Sequence, residues 1–331
     1  MKLVTVLSQN QERLGLEIEG KIFTFHDLNL QTKLSVPETM QAFLQSTDTN
    51  LPLAQKSEDW LKKNPAHTAS EYTQKFSPVP HPTSCRDGYA FRQHVETMRR
   101  NRGVEMAPEF DLFPVFYFTN HNAVIGEGEL IVHEDHLFQL DFELELAIVI
   151  GKKGRNIKAE NADDYILGFS IMNDFSARKL QTEEMKLNLG PAKGKDFATA
   201  VGPFLLTKDE LADRTVRTPK GNKYELEMIA RHNGKQISLG NSGSMNWTFA
   251  QIIERASYGV DLYPGDIIGS GTVGTGCYAE LNSTAARIAK ENGETSQPVW
   301  LKDGDTIELE IEKLGVLANQ VKKTEAGFSI L

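Results

Sequence analysis

The chain has 331 residues, 40% of them hydrophobic and 24% charged, which suits a soluble globular protein with one large domain and a smaller companion. A net charge of -9 and a pI near 5.5 argue against nucleic acid or an anionic membrane surface as partner, and no apolar run approaches the roughly 18 residues of a membrane span. Cys85 and Cys277 are the only cysteines and sit in no paired motif, so disulfide- and zinc-built folds are excluded and a reducing, cytoplasmic setting is expected.

In chain order, residues 3–7 and 14–25 predict short strands, the second turning near Gly20. Polar sequence follows Met1 too soon for a signal peptide. Ser35-Val-Pro-Glu38 is a capping box with proline in the first turn, predicting a helix through Met40, Phe43 and Leu44. Trp60-Leu-Lys-Lys predicts the end of another short helix. Pro65, Pro78, Pro80 and Pro82 then punctuate an extended connection. This sets a boundary between a small β-rich unit at 1–80 and the main domain at 81–331.

Beyond it the pattern is mainly short strands with a few helices. Arg86-Asp-Gly-Tyr-Ala-Phe-Arg-Gln-His94 places Asp87 and His94 seven residues apart, on one face if the segment is helical. Histidine suits proton transfer near neutrality, although a plain polar helix face would show the same spacing. His133-Glu-Asp-His136 resembles a metal cluster, but between strands an exposed turn is expected.

Leu140-Asp-Phe-Glu-Leu-Glu-Leu-Ala-Ile-Val-Ile150 is the most informative stretch. Alternation puts Glu143 and Glu145 on one strand face that continues through Ala147 and Val149. Two carboxylates on a face that turns apolar call for a cation, and hard oxygen donors suit Mg²⁺ or Ca²⁺. The tripeptide recurs at Glu225-Leu-Glu227 and at Glu308-Leu-Glu310, the last on an ordinary solvated face, so context carries the reading.

Residues 165–172 predict a buried strand that feeds Asn173-Asp174-Phe-Ser-Ala-Arg178-Lys-Leu-Gln181. Asp174, Arg178 and Gln181 would share a helical face, and the plain alternative is a surface ion pair worth about 0.3–0.5 kcal/mol. Gly190-Pro-Ala-Lys-Gly-Lys195 leads into a strand at Thr199, with lysines that either counter a metal site or are solvated. Arg231-His-Asn-Gly-Lys predicts a type I′ hairpin, and residues 244–256 a helix. Gly269-Ser-Gly-Thr-Val-Gly274 matches the dinucleotide fingerprint only formally, since no βαβ unit surrounds it. A loop whose backbone approaches a ligand, with Thr272 as donor, fits better. Thr275-Gly-Cys-Tyr-Ala-Glu280 is not expected to start a helix cleanly. The class is α+β and β-rich.

In this order and spacing, the motifs resemble the fumarylacetoacetate hydrolase family across roughly residues 83–315. The resemblance implies metal ligands at Asp87, Glu143, Glu145 and Asp174, with Thr199 near the ion. It also implies a catalytic base at His94 oriented by Glu280, oxyanion stabilisation by Arg178, Gln181 and Lys195, and substrate contacts from Tyr89 and Tyr117. The implied fold is a mixed β-roll domain that forms a homodimer, behind a small β-rich N-terminal domain. The implied activity is metal-dependent hydrolysis of a carbon–carbon bond in a β-diketone acid, such as fumarylacetoacetate to fumarate and acetoacetate in aromatic amino-acid catabolism. A hydratase, decarboxylase or acylpyruvate hydrolase acting on a smaller 2-oxo acid is the alternative within the family. A non-catalytic metal-braced domain is the alternative outside it. Arg102 lies one position from an expected arginine and Met185 stands near an expected tyrosine, so the resemblance specifies the chemistry better than the substrate.

Overall fold

The computed structural model describes all 331 residues. An eleven-stranded mixed sheet forms its centre, nine strands running in the order Lys21–Thr24, Gln11–Ile18, Lys2–Ser8, Thr199–Thr207, Ile166–Asp174, Leu144–Ile150, Ile267–Gly269, Cys85–Gly88, Phe116–Thr119, with Gln74–Lys75 paired to Lys2–Ser8 and Val124–Ile125 to Thr199–Thr207. A second, five-stranded sheet is built from Lys235–Asn241, Glu227–His232, Thr306–Ile311, Gly315–Lys323 and Gly128–Val132. The sheets are mixed and neither closes into a barrel, and with the helices they make the expected β-rich α+β architecture. No helix is long and apolar enough to cross a membrane.

The two central strands Leu144–Ile150 and Ile166–Asp174 are buried at every position, which is why both read as nearly unbroken apolar runs. Their register brings polar ends together. Leu144 faces Asn173, Asp174 faces Thr199, and the parallel pair alongside sets Gly269 beside Asp87. In the second sheet, Asn233 and Gly234 both take positive φ (50° and 76°), as the type I′ hairpin at Arg231-His-Asn-Gly-Lys requires.

The first eighty residues add strands to the edge of the central sheet, with Lys2 opposite Leu206 and Leu3 opposite Leu205. Their apolar side chains, among them Leu3, Leu16, Phe25 and Phe43, pack in one cluster with Ala147, Val149, Val201 and Leu205. We propose residue 80 as an organisational boundary, with sheet and core continuous across it.

Several local expectations change here. The second predicted strand stops at Thr24, whose hydroxyl caps a helix at Phe25–Thr32. Thr39, not Ser35, caps Met40–Leu44, because the Glu38 carboxylate turns away to Arg13 and His26. The helix ending near Trp60 is a long one, Thr47–Lys63, with Pro52 inside it. Residues 244–256 hold a shorter helix, Phe249–Ser257, with Thr248 and Gln251 forming a capping box.

His133-Glu-Asp-His136 is not an exposed turn. It forms one helical turn, Glu134–Leu137, with Asp135 and His136 buried. The His136 ring stacks on Phe197 at 4.3 Å between centroids, and its Nδ1 accepts the His133 N–H at 3.1 Å, so the folded protein uses the neutral ring. Burial, reinforced by the neighbouring His133 and Lys193 and opposed by Asp135 and Asp196, pushes it from 6.5 down to about 4. Between those values the unfolded chain binds a proton that the folded protein refuses, so stability falls as pH falls through that window. Urea midpoints measured across pH should show this loss, and His136→Asn should flatten it. An unchanged slope in that variant would place the acid sensitivity elsewhere.

Candidate active site

Asp87 lies in the strand Cys85–Gly88, Glu145 in Leu144–Ile150 and Asp174 at the end of Ile166–Asp174, while Glu143 immediately precedes its strand. One carboxylate oxygen from each lies within 4.8 Å of the others, and all four residues are buried. Two expected spacings dissolve on the way. Asp87 is on a strand and His94 on the following helix Arg92–Asn101. Asp174 likewise stays in its strand, and only Arg178 and Gln181 share the helix Arg178–Met185. In both cases a strand-to-helix turn, rather than one helical face, relates the residues, and Asp87, His94, Arg178 and Gln181 line the same cavity.

Two cations answer the carboxylates. Lys195 Nζ donates to Glu143 Oε2 at 2.5 Å and to Asp174 Oδ2 at 2.6 Å. Arg178 Nη2 donates to Glu143 Oε1 at 2.6 Å. Burial pushes Glu143 up, but Lys195 and Arg178 together hold it at about 2. For Asp87 burial wins, aided by the charge of Asp174, and the carboxyl rises to about 7. Glu145, fully buried beside Asp87, is pushed well above the carboxylate range, and Asp174 is also raised by burial despite Lys195. Lys195 is burdened by burial too, but Asp174 and Glu143 raise it and keep it charged.

The cluster fits a hard divalent cation on the structure's own terms. All donors are oxygens, and the buried Glu145 Oε1 and Asp174 Oδ1 have no hydrogen-bond partner. Space is kept for them by glycine. A Cβ at Gly269 would lie 2.7 Å from Glu145 Oε2 and 2.8 Å from Asp87 Oδ1. Gly271, at φ +82°, sends its N–H to Asp87 Oδ1 (3.0 Å) and Glu145 Oε2 (3.2 Å), and a Cβ there would meet Gly88 O at 2.7 Å. The glycine loop therefore approaches the carboxylates with its backbone.

Beside this cluster, His94 Nδ1 lies 2.6 Å from Glu280 Oε2, and both residues are buried. Nε2 is left as the free ring nitrogen. Glu280 sits in the first turn of the helix Tyr278–Glu291, so the helix does begin within the segment expected to lack a clean start. Cys277 offers no cap. Instead Tyr278 N and Ala279 N donate to Asp141 Oδ1 and Oδ2 at 2.7 and 2.9 Å, a long-range cap that the local sequence could not display. Asn101 joins this helix to the His94 helix, donating to Ser283 and Thr284 and accepting from Arg287.

His94, Asp87, Glu143, Arg178 and Lys195 line one cavity of about 910 Å³, together with Tyr89, Tyr117, Gln181 and Thr272. Tyr117 donates its hydroxyl to Asp174, and Tyr89 packs edge-on to His94. Gln181 Oε1 accepts from Arg178 Nη1 at 3.0 Å, leaving its amide N–H groups open. Thr199 is buried beside Asp174 in register, with its hydroxyl 3.4 Å from that of Thr119. Arg102, Met98, Pro298 and Trp300 complete the wall. Asp141 and Asn101 were not singled out from the sequence. Asp141 shares the odd-numbered face with Glu143 and Glu145, the only signal that pointed to it.

A buried oxygen-donor cluster beside a His–Glu pair is the equipment of an acid–base enzyme that works with a divalent ion. Residues 83–322 match the fumarylacetoacetate (FAA) hydrolase C-terminal domain, and the chain belongs to that family. It is 30% identical over 290 residues to the mitochondrial oxaloacetate tautomerase FAHD2A of Homo sapiens, covering 87% of this chain and 81% of the relative. It is 29% identical over 341 residues to the oxaloacetate tautomerase YisK of Bacillus subtilis, covering 97% and 100%. Among solved structures, the fumarylacetoacetate hydrolase of Exiguobacterium antarcticum superposes with a TM-score of 0.67 at 25% identity, over 98% of this chain and 100% of that one. A HpcE-like protein from Mycobacterium smegmatis gives 0.68 at 20% identity over the same shares, a likeness of fold.

Gly269→Ala tests the cradle directly. Its Cβ must displace Glu145 or Asp87, so calorimetric titration with Mg²⁺ or Mn²⁺ should show affinity reduced about tenfold or more. Wild-type affinity in that variant would move the cation away from this cluster.

Proposed function

We propose that the protein is a divalent-metal-dependent enzyme that moves a proton on a 2-oxo acid, with oxaloacetate keto–enol tautomerisation as its reaction. The observation that carries this reading is the buried His94–Glu280 contact of 2.6 Å opening into the same cavity as the acidic cluster. Two relatives that align over most of both chains bear the name oxaloacetate tautomerase. Asp87, Glu143, Glu145 and Asp174 would hold the ion, which supplies a Lewis acid for the oxygens of the 2-oxo acid.

The chain's own residues account for the rest. Glu280 fixes the ring of His94 through Nδ1, so that Nε2 is the nitrogen that takes the proton from the carbon beside the keto group. The C–H electron pair becomes the new carbon–carbon double bond, and the keto oxygen gains the proton, so the exchange balances without a co-reactant. Lys195 and Arg178 are engaged by carboxylates and act chiefly through their charge. Open donors are left to Gln181 and Thr272, which suit the developing negative charge on oxygen. Arg102 forms no ion pair and offers a cation for a distal carboxylate of the substrate.

A second reading is hydrolysis of a β-diketone acid such as fumarylacetoacetate, favoured by a cavity of about 910 Å³ that is generous for a four-carbon acid. There His94 would take its proton from water instead.

An assay panel of oxaloacetate, acetylpyruvate and fumarylacetoacetate, each with Mg²⁺, with Ca²⁺ and after chelation, separates them. We expect oxaloacetate tautomerisation that chelation abolishes. His94→Ala and Glu280→Gln should each lower kcat by about 10²–10⁴ with KM little changed. Carbon–carbon cleavage without tautomerisation would move the function to the second reading, and normal turnover by His94→Ala would remove His94 from the chemistry.

A further inference from the structure

The carboxylate of Asp141 touches neither the four-carboxylate group nor the cavity, yet it joins both halves of the site. It is fully buried. Oδ2 accepts Arg178 Nε at 2.8 Å, with Nη2 also at 2.8 Å, and Ala279 N at 2.9 Å. Oδ1 accepts Tyr278 N at 2.7 Å and Phe142 N at 2.9 Å. The same side chain thus holds the guanidinium that pairs with Glu143 and caps the helix that presents Glu280 to His94.

We propose that Asp141 is a positioning residue that locks the Arg178–Glu143 pair and the Glu280–His94 pair into one geometry by capping the Glu280 helix with the carboxylate that holds Arg178. A cap from an ordinary N-cap side chain would fix the helix to its own loop. This cap fixes it to the residue two before Glu143, so the proton-transferring group and the acidic cluster are set from a single point. The kinetic part of the proposal rests on the function given above, whereas its structural part does not.

Asp141→Asn keeps the size of the side chain but replaces one acceptor oxygen by a donor, so it cannot serve Arg178 and both helix N–H groups. Hydrogen exchange of a peptide spanning residues 278–283 should accelerate by about tenfold or more, while the helix Phe249–Ser257, remote from Asp141, keeps its wild-type rate. On oxaloacetate, kcat should fall about 10–100-fold with KM changed less than about threefold. In a Glu280→Gln background the same substitution should cost no more than about threefold, because the alignment it disturbs no longer serves a base. Undisturbed exchange at 278–283, or a loss of kcat that multiplies fully with Glu280→Gln, would overturn the proposal. If the wild-type protein turns over none of the panel substrates, the functional reading fails, and the exchange measurement still decides the role of Asp141.

Discussion

Buried carboxylate exceeds buried cation at the centre of this molecule, and that excess governs the rest of the structure. Asp87, Glu143, Glu145, Asp174 and Asp141 face only Lys195 and Arg178, a formal surplus of three negative charges (five against two). Like charges about 4 Å apart cost on the order of 4 kcal/mol even at a protein-like effective dielectric of about 20. The cluster resolves this unevenly. Glu143 takes both Lys195 and Arg178 and stays charged down to about 2, whereas burial and like charge push Asp87 up to about 7 and Glu145 well above the carboxylate range. One carboxylate is thereby fixed as an anion, and its neighbours exchange between protons and a cation. A divalent ion would displace those protons and cut the formal surplus from three to one.

Such a cluster survives only where the backbone around it is fully paired and water is kept out, which explains its place in the sheet. Leu144–Ile150 and Ile166–Asp174 are central and buried along their whole length, and their ladders pair most of the main chain around the carboxylates. Close approach then falls to glycine. Gly269 leaves room for the Glu145 and Asp87 oxygens, and Gly271 turns at positive φ to aim its N–H at them. The edge strands contributed by residues 1–80 add apolar cover over Ala147, Val149 and Val201, behind the carboxylates.

How much of this was legible in the sequence depended on the range of each interaction. Glu143 and Glu145 stood out because their face turns apolar within two residues, a purely local signal that the burial of the strand supports. The hairpin at Asn233 was equally local. Asp87, His94, Asp174 and Arg178 were found through motif order, but helical spacing misdescribed how they meet, since each pair straddles a strand-to-helix turn. The helix at Tyr278 was missed because its cap, Asp141, lies 137 residues upstream. Pro52 hid the length of Thr47–Lys63, where tertiary packing of Ala54 and Leu61 outweighs one lost hydrogen bond. His136 was taken for a surface residue because nothing near it announces Phe197.

The pattern of free and engaged donors bears on which reaction the acidic cluster can serve. Lys195 and Arg178 are each tied to two carboxylates, so they set the charge of the site and cannot easily be altered without changing it. His94 Nε2, the Gln181 amide and the Thr272 hydroxyl remain free to meet a substrate, and Arg102 and Trp300 shape the wall around it. Selection among reactions then falls to these few groups. On the proposed chemistry, a proton taken from carbon would give an enol and one taken from water would give cleavage, with the same histidine and the same buried charge beneath both. What distinguishes them is whether the cavity admits an ordered water beside His94 once a substrate is seated.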